Sequence, residues 1–434
     1  MVTTAKIVAS AWSSRRATSR AMLVSFRFAN LGYRIGHLCY DDVSRDFRAV
    51  NFLSAIGRCM GAFCRGIMRD SLVSCRTGLA APACGDVAAA TWRSRFGIPK
   101  GDPMTTLTLT SADVEVLADA DEMRRAMAAA HRALHAHRAV QPRPHPLPFV
   151  GAAGPDAPTV VPMSALSEEL GLYAVKVLAD APRNRAVGLP AQRSTVAVFD
   201  AATAECVAMI DGRALTRLRT AAVTALATDV LARADAQVAT LIGAGPLAAE
   251  HARALVRVRD LAQIRVWSRS AARAEACVQQ LRAEGIPALV AVTTESALEG
   301  ADVVCTLTPA QEPFLSRALL GSDVHVNAVG SPPRPMFSEV HADVFAAARV
   351  VVVDDSAVAL AESGNVRDAC AAGALVPEQL IPLGDVVAAE PGAAPGGLTI
   401  FNSVGIGIQD LYAAHVLCAR ASAVGAGTMV AIRA

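Results

Sequence analysis

The sequence predicts an α/β protein built from two different parts, and three observations carry that prediction. After residue 236, apolar runs alternate with helix-forming segments: "VATLIGAG", "QIRVWSRS", "ADVVCTLT", "DVHVNAVG" and "VVVVDD", with helices expected over 247–259 and 270–284. Continuous apolar strands separated by helices imply a parallel sheet covered on both faces. Ahead of them, "LYAVKVLA" (172–179), "STVAVFDA" (194–201) and "CVAMIDG" (206–212) alternate apolar with polar residues, as antiparallel strands of a half-exposed sheet do. Flanking these strands are a long helix within 111–140, which should stop at the proline cluster "QPRPHPLP", and a second over 215–232. The last helix, roughly 404–424, follows the strand "LTIFNSVG" and is expected to pack back on the first part. The main body therefore reads as an α+β domain from 104–232 with 398–434, and a doubly wound domain from 233–397.

Composition bounds the function classes. The 434 residues suffice for two or three domains, and the net charge of +2 gives no global reason to expect nucleic acid or membrane as a partner. The balance is uneven, however. Residues 1–103 hold 15 Lys and Arg against six Asp and no Glu, a net +9, with five of the 10 cysteines. That segment shows neither helical nor strand period over any useful length. It is expected to stand outside the fold as a basic extension; a start placed too far upstream, a targeting segment and a basic interaction arm all fit its composition. No run approaches the ~20 apolar residues of a membrane span. The five cysteines of the main body are isolated, so neither a metal site nor a disulfide framework is expected, and a cytoplasmic location fits.

The segment "TLIGAGPLAAEH" (240–251) carries the most chemistry. Gly243-Ala244-Gly245-Pro246-Leu247-Ala248 follows an apolar strand and opens a helix. Gly243 permits a tight turn, Gly245 admits backbone N–H groups close to a pyrophosphate, and Ala248 allows the helix to pack closely on the strand. The positive end of the helix then favours the phosphate charge. A plain strand-to-helix turn would share the glycines, but here the turn begins a run of βα units, so a Rossmann-type dinucleotide site is expected. At the end of the second strand an acid would select NAD; Ser268 and Arg269 stand there instead and suit a 2′-phosphate. NADP(H) is therefore favoured, with NAD(H) the alternative if Arg269 is only a solvated residue.

With these segments assembled, the chain resembles the ornithine cyclodeaminase/mu-crystallin family over about 111–424. The carriers are "YAVKVLADAPRNRAVGLP", "MIDGRALTRLRTAAVTALA", "LIGAG…AAEHARAL", "ADVVCTLT", "VNAVGS" and "LTIFNSVGIGIQDL". The resemblance implies a Rossmann domain joined to a substrate domain that forms dimers, and a small amino or imino acid as substrate. It implies that Lys176 and Arg219 hold the substrate carboxylate and serve catalysis, and that Arg143 assists, although "QPRPHP" is out of step by about one residue. Thr308, Asn327, Ala328, Val329 and Ser403 fall where family members line the nicotinamide and ribose. Without the resemblance, Lys176 would read as a strand lysine facing water. Arg217 reads as a surface charge.

The departures from the family pattern weigh on function. In cyclodeaminases an aspartate closely follows "NAVG"; here Pro332 occupies that place, and Glu339 is the only acid between Val329 and Asp343. Proline can act neither as acid nor as base. Leu247 and Ala191 also replace a frequent Gln and a usual Thr. Reducing a preformed imine needs little beyond a positioned cofactor and a pinned carboxylate, whereas cyclodeamination needs more proton handling. The favoured expectation is thus an NAD(P)-dependent imino-acid (cyclic ketimine) reductase or amino-acid dehydrogenase. Ornithine cyclodeaminase is the alternative, with Glu339 the first candidate base, and a non-catalytic NADPH- and ligand-binding crystallin-like protein is the third reading.

Overall fold

The computed structural model describes residues 7–9, 24–26, 105–148, 157–330, 337–389, 392 and 394–431. The chain divides into two units, 1–87 and 88–434. In the first, Ile7–Ala9 and Val24–Phe26 form an antiparallel pair.

The second unit begins with strand β1 (Thr105–Leu109) and two helices, α1 (Ser111–Leu117) and α2 (Ala120–His135). The long helix expected within 111–140 is thus α2. It is separated from α1 because Ala118 is extended and Asp119 caps a new start, its side chain accepting from Glu122 N. Strands β2 (Ala139–Val140), β3 (Leu147–Pro148), β4 (Thr159–Ser167), β5 (Leu172–Asp180), β6 (Gln192–Asp200) and β7 (Cys206–Asp211) follow. With β16 (Thr428–Ala431) they build a mixed sheet in the order β16-β1-β7-β6-β5-β4-β2, β3 pairing with β4. The central strands pair antiparallel, Lys176 standing opposite Met163 and Val196.

Strand alternation divides this sheet into two faces. On β5 the even-numbered residues from Leu172 to Asp180 are all buried, Lys176 among them. They face helix α3 (Gly212–Leu231) and helix α11 (Gly407–Val424), which join α2 in one helical layer. The odd-numbered residues point outward, where Tyr173 stacks on Phe199 at 4.8 Å and Val177 and Met209 are exposed.

The remaining elements follow the βα alternation read from the sequence. They are β8 (Val238–Ile242), α4 (Pro246–Leu255), β9 (Gln263–Trp267), α5 (Ala271–Ala283), β10 (Ala288–Val290), α6 (Thr294–Leu298), β11 (Val303–Thr306), β12 (His325–Ala328), α7 (Ala342–Ala347), β13 (Val350–Val353), α8 (Ser356–Glu362), α9 (Gly364–Ala371), β14 (Leu380–Pro382), α10 (Leu383–Ala388) and β15 (Thr399–Asn402). Their sheet is wholly parallel, in the order β10-β9-β8-β11-β12-β15-β13-β14. One boundary differs from expectation. The sequence groups residues 399–402 with the C-terminal helix, but β15 inserts between β12 and β13, because its four residues are all buried and need a partner on each side. The crossing to the helical layer comes just after it, at 403–406.

Helix α3 joins the two sheets. It packs on β6 on one side and on β12, β15 and α4 on the other, which explains why 14 of its residues are buried. Its C-terminal carbonyls are gripped by Arg259, whose guanidinium donates to Thr228 O, Asp229 O and Ala232 O at 2.7–3.0 Å. Among the described residues no helix is long and apolar enough to cross a membrane, and no cluster of three His, Cys, Asp or Glu could hold a metal.

Candidate active site

The phosphate turn stands at the centre of the parallel sheet, where strand order reverses between β8 and β11. That is where open α/β sheets place their ligands. Gly243 has φ of 125°, and a Cβ there would lie 2.8 Å from Leu307 O, so only glycine fits. A Cβ built at Gly245 meets nothing within 4 Å, which leaves an open cradle before α4. Gly245 caps that helix, Pro246 opens it with no N–H to satisfy, and Ala248 is fully buried against the sheet. The turn fits a dinucleotide pyrophosphate. Ser268 Oγ accepts from Ser270 N at the edge of this region, and Arg269 is exposed.

Beside the turn lies a cavity of 110 Å³. From the parallel sheet come Leu247, Val329 and Ser403; from the mixed sheet and its helices come Lys176, Thr216 and Arg219. The geometry therefore gathers five of the sequence-expected residues. Lys176 is 1% exposed; its ammonium donates to Thr216 Oγ1 at 2.7 Å and to Asp410 Oδ1 at 3.0 Å. Arg219 donates to the same Asp410 oxygen at 3.1 Å and to Gln409 Oε1 at 2.9 Å. Gly405 lets the guanidinium approach, since a Cβ there would lie 2.6 Å from it. Burial pushes the Lys176 ammonium down to about 8, opposed by Asp410 and reinforced by Arg219. Two cations sharing one buried anion leave a net positive charge, which suits a carboxylate.

A second buried acid braces the cavity wall. Asp354 accepts from Ser403 Oγ at 2.9 Å, Val404 N at 2.7 Å, Gly405 N at 2.8 Å and Gln409 Nε2 at 2.7 Å. Gln409 also meets His131 Nε2 at 3.0 Å, and burial lowers the His131 pKa, so the ring is neutral. The hydrogen-bonded chain thus runs unbroken from Lys176 through Asp410, Arg219, Gln409 and Asp354 to Ser403.

Other expected residues fall elsewhere. The Asn327 side chain turns away from the cavity: its amide donates to Thr228 Oγ1 at 3.0 Å on α3, and its oxygen meets His325 at 3.1 Å. Asn327 and His325 alternate on β12, so both face α3. Ala328 contributes its carbonyl, which accepts from Ser403 N at 2.9 Å and so lies beneath the wall. Thr308 donates from both N and Oγ1 to Glu339 Oε1 at 2.7 Å. Glu339 also accepts from Thr306 Oγ1 and Gly330 N, at 2.7 and 2.9 Å. It ties the loops after β11 and β12 together and keeps no lone pair turned to the cavity. Arg143 is exposed; burial raises the pKa of Glu362, a cavity-lining acid, and Arg143 opposes that rise, while its neighbour Pro144 reaches the cavity itself. Pro332 lies outside the described residues.

Sequence reasoning missed Thr216, Asp354, Gln409, Asp410 and Glu362. A signal existed for two of them. Gln409 and Asp410 interrupt the apolar first half of their helix, where uncompensated burial would be costly.

These features define a class: an α/β protein with a Rossmann-type dinucleotide turn and, facing it, a buried cationic clamp on a second, mixed sheet. The chain belongs to the ornithine cyclodeaminase/mu-crystallin family, whose model matches residues 104–425. It is 30% identical over 328 residues to the Δ1-pyrroline-2-carboxylate reductase of Bacillus cereus, covering 75% of this chain and 99% of that protein. The Thermococcus litoralis Δ1-pyrroline-2-carboxylate reductase in complex with NADH and L-proline superposes with a TM-score of 0.71 at 25% identity, covering 75% of this chain and all of that one. An archaeal alanine dehydrogenase dimer with bound NAD gives 0.69 at 27% identity, covering 76% of this chain and all of that one.

Proposed function

We propose that this protein is a nicotinamide-dinucleotide-dependent imino-acid reductase, acting on a small cyclic α-imino acid or in the reverse sense on the amino acid. The observation that carries the reading is the placement of Lys176 and Arg219, both buried, in one 110 Å³ cavity that also touches Leu247 of the phosphate turn and Ser403. A bound nicotinamide supplies or removes hydride at the substrate Cα. The chain's own residues do the rest. Lys176 and Arg219 pin the carboxylate, and Asp410 holds both cations in register before substrate arrives, so little reorganisation is left for the reacting complex. Val161, Met163, Leu178 and Val358 give the cavity an apolar side against which a small ring can rest. Two relatives named as Δ1-pyrroline-2-carboxylate reductases support the same substrate class.

NADP(H) is the proposed cofactor, with Gly243, Gly245, Pro246 and Ala248 forming the turn. Ser268 and Arg269 follow the second strand of the parallel sheet, and the lack of an acid in "WSRS" to favour the 2′-hydroxyl of NAD supports this reading. We assign the 104–232 and 403–431 segments to the substrate lobe. Its outward sheet face, with Tyr173, Val177, Phe199 and Met209, is the proposed dimer surface. The neighbour described as a dimer supports this.

The test is a cofactor-oxidation assay with Δ1-pyrroline-2-carboxylate and related cyclic imines, run with NADPH and with NADH, beside an ammonia assay with L-ornithine. Imine-dependent oxidation without ammonia release from ornithine is expected. Robust ammonia release would replace this reading with cyclodeamination, and inertness towards every imine would overturn it.

A further inference from the structure

The cavity contains an acid that no part of the clamp requires. Glu362, the last residue of α8, lines the same cavity as Lys176 and Arg219 and is 7% exposed. It is the acid in that lining among the described residues, because Asp410 and Asp354 lie behind the wall and Glu339 is held by four donors away from it.

Charge counting indicates what a second carboxyl is for. Lys176, Arg219 and Asp410 together carry about one net positive charge, which the substrate carboxylate neutralises. An imino or amino acid then still brings a nitrogen that is cationic once protonated. Buried charge requires a partner, and the clamp has none left to offer. We propose that Glu362 faces the substrate nitrogen and supplies the proton that nitrogen takes up on reduction, the role left open by the proline at position 332.

The step balances. The imine nitrogen lone pair takes the proton from the Glu362 carboxyl, forming N–H. Hydride from the reduced nicotinamide dinucleotide forms the Cα–H bond, and the C=N π pair becomes the nitrogen lone pair. The cofactor is oxidised by two electrons, the imine is reduced, and Glu362 is left as a carboxylate beside the product amine, to be reprotonated from water. Burial pushes the Glu362 carboxyl above the ordinary range, while Arg143, Arg367 and His145 act against that. Lys176, Arg219 and Asp410 are the charged groups across the cavity. A carboxyl so placed keeps a proton closer to neutrality than an exposed glutamate does, which suits general acid catalysis.

This inference rests on the imino-acid reading, and its test separates the two. Protein saturated with NADPH is titrated calorimetrically with L-proline and with cyclopentanecarboxylate, which shares the ring and carboxylate but lacks the nitrogen; no turnover occurs in either complex. The comparison is wild type against Glu362→Gln, a near-isosteric change. The expected result is at least about tenfold weaker L-proline binding in the variant. Cyclopentanecarboxylate and NADPH affinities stay within about twofold, and kcat for imine reduction falls about a hundredfold, within the range for a lost general acid. Equal weakening of both acids, or no change in either, overturns the role of Glu362 while leaving the reductase reading intact. A wild-type protein that binds neither acid overturns both.

Discussion

Lys176 donates to Asp410 at 3.0 Å across 234 residues of sequence, and each side chain is 1% exposed. The pair joins the middle of a strand to the first turn of the C-terminal helix. Breaking a buried pair by removing one partner typically costs about 3–5 kcal/mol, because the survivor is left charged and unpaired. Here two cations would survive. Asp410→Asn should therefore lower stability by about that amount and remove turnover, read by denaturant unfolding and by the imine assay. A variant as stable as wild type would mean that Lys176 and Arg219 find other partners.

The ammonium of Lys176 titrates near 8 when folded, against an ordinary 10.5. The unfolded chain thus binds more protons between those values, so this group's contribution to stability rises as pH rises from about 8 to 10.5. Substrate binding moves the other way, because the neutral amine no longer holds a carboxylate. kcat/KM should fall above about pH 8 while thermal stability does not fall through loss of this charge. Lys176→Ala should cost about a thousandfold in kcat/KM, equivalent to ~4 kcal/mol, with NADPH affinity nearly unchanged. A variant that loses NADPH binding would place the lysine on the cofactor instead.

Arg269→Asp should turn cofactor preference from NADPH towards NADH. The acid would repel a 2′-phosphate and accept from a 2′-hydroxyl. Charge-assisted hydrogen bonds contribute roughly 1.5–3 kcal/mol, so the ratio of the two kcat/KM values should move by about tenfold or more. An unchanged ratio removes Arg269 as the determinant.

Val177 is 49% exposed on the outward sheet face, next to the Tyr173–Phe199 stack. If that face joins two copies, Val177→Asp places a charge in an apolar interface on both sides of a twofold axis. Light scattering should find a dimer in wild type and a monomer, or a much weaker dimer, in the variant. A monomeric wild type at micromolar concentration contradicts the assignment.

A chain beginning at Met104 should fold and bind NADPH as the full chain does, because the family match and every site residue fall within 104–425. Insoluble protein would show that residues 1–103 support the fold.

The parallel sheet was legible because its strands are largely apolar and separated by helices, and the phosphate turn because its glycines answer to steric needs that few other sequences share. Lys176 was legible only as a residue type in a strand. Read alone it is a strand lysine facing water; the structure puts it on the buried face, and nothing in "YAVKVLA" tells that Asp410 waits there. Partners brought together across 234 residues leave no trace in local spacing. Asn327 shows the converse. Its position relative to "NAVG" suggested a cofactor contact, but the side chain alternates onto the face that meets α3 and is taken up by Thr228. Glu339 stood out as the sole acid in its stretch, and what removed it from contention was four donors contributed by three residues on two separate segments.

The chain passes between the two sheets twice at residues already described: after α3, where Arg259 clasps the helix end, and at 403–405, where Asp354 holds three donors in succession. Two fixed points define a line. Between the two crossings α3 itself packs on β12, β15 and α4, so the line is reinforced along its length. Ser403 and Gly405 stand at one of these crossings and also line the cavity. The crossing that carries the chain from one sheet to the other is thus also part of the substrate clamp, because Asp354 and Gln409 tie Ser403 and Gly405 to Arg219.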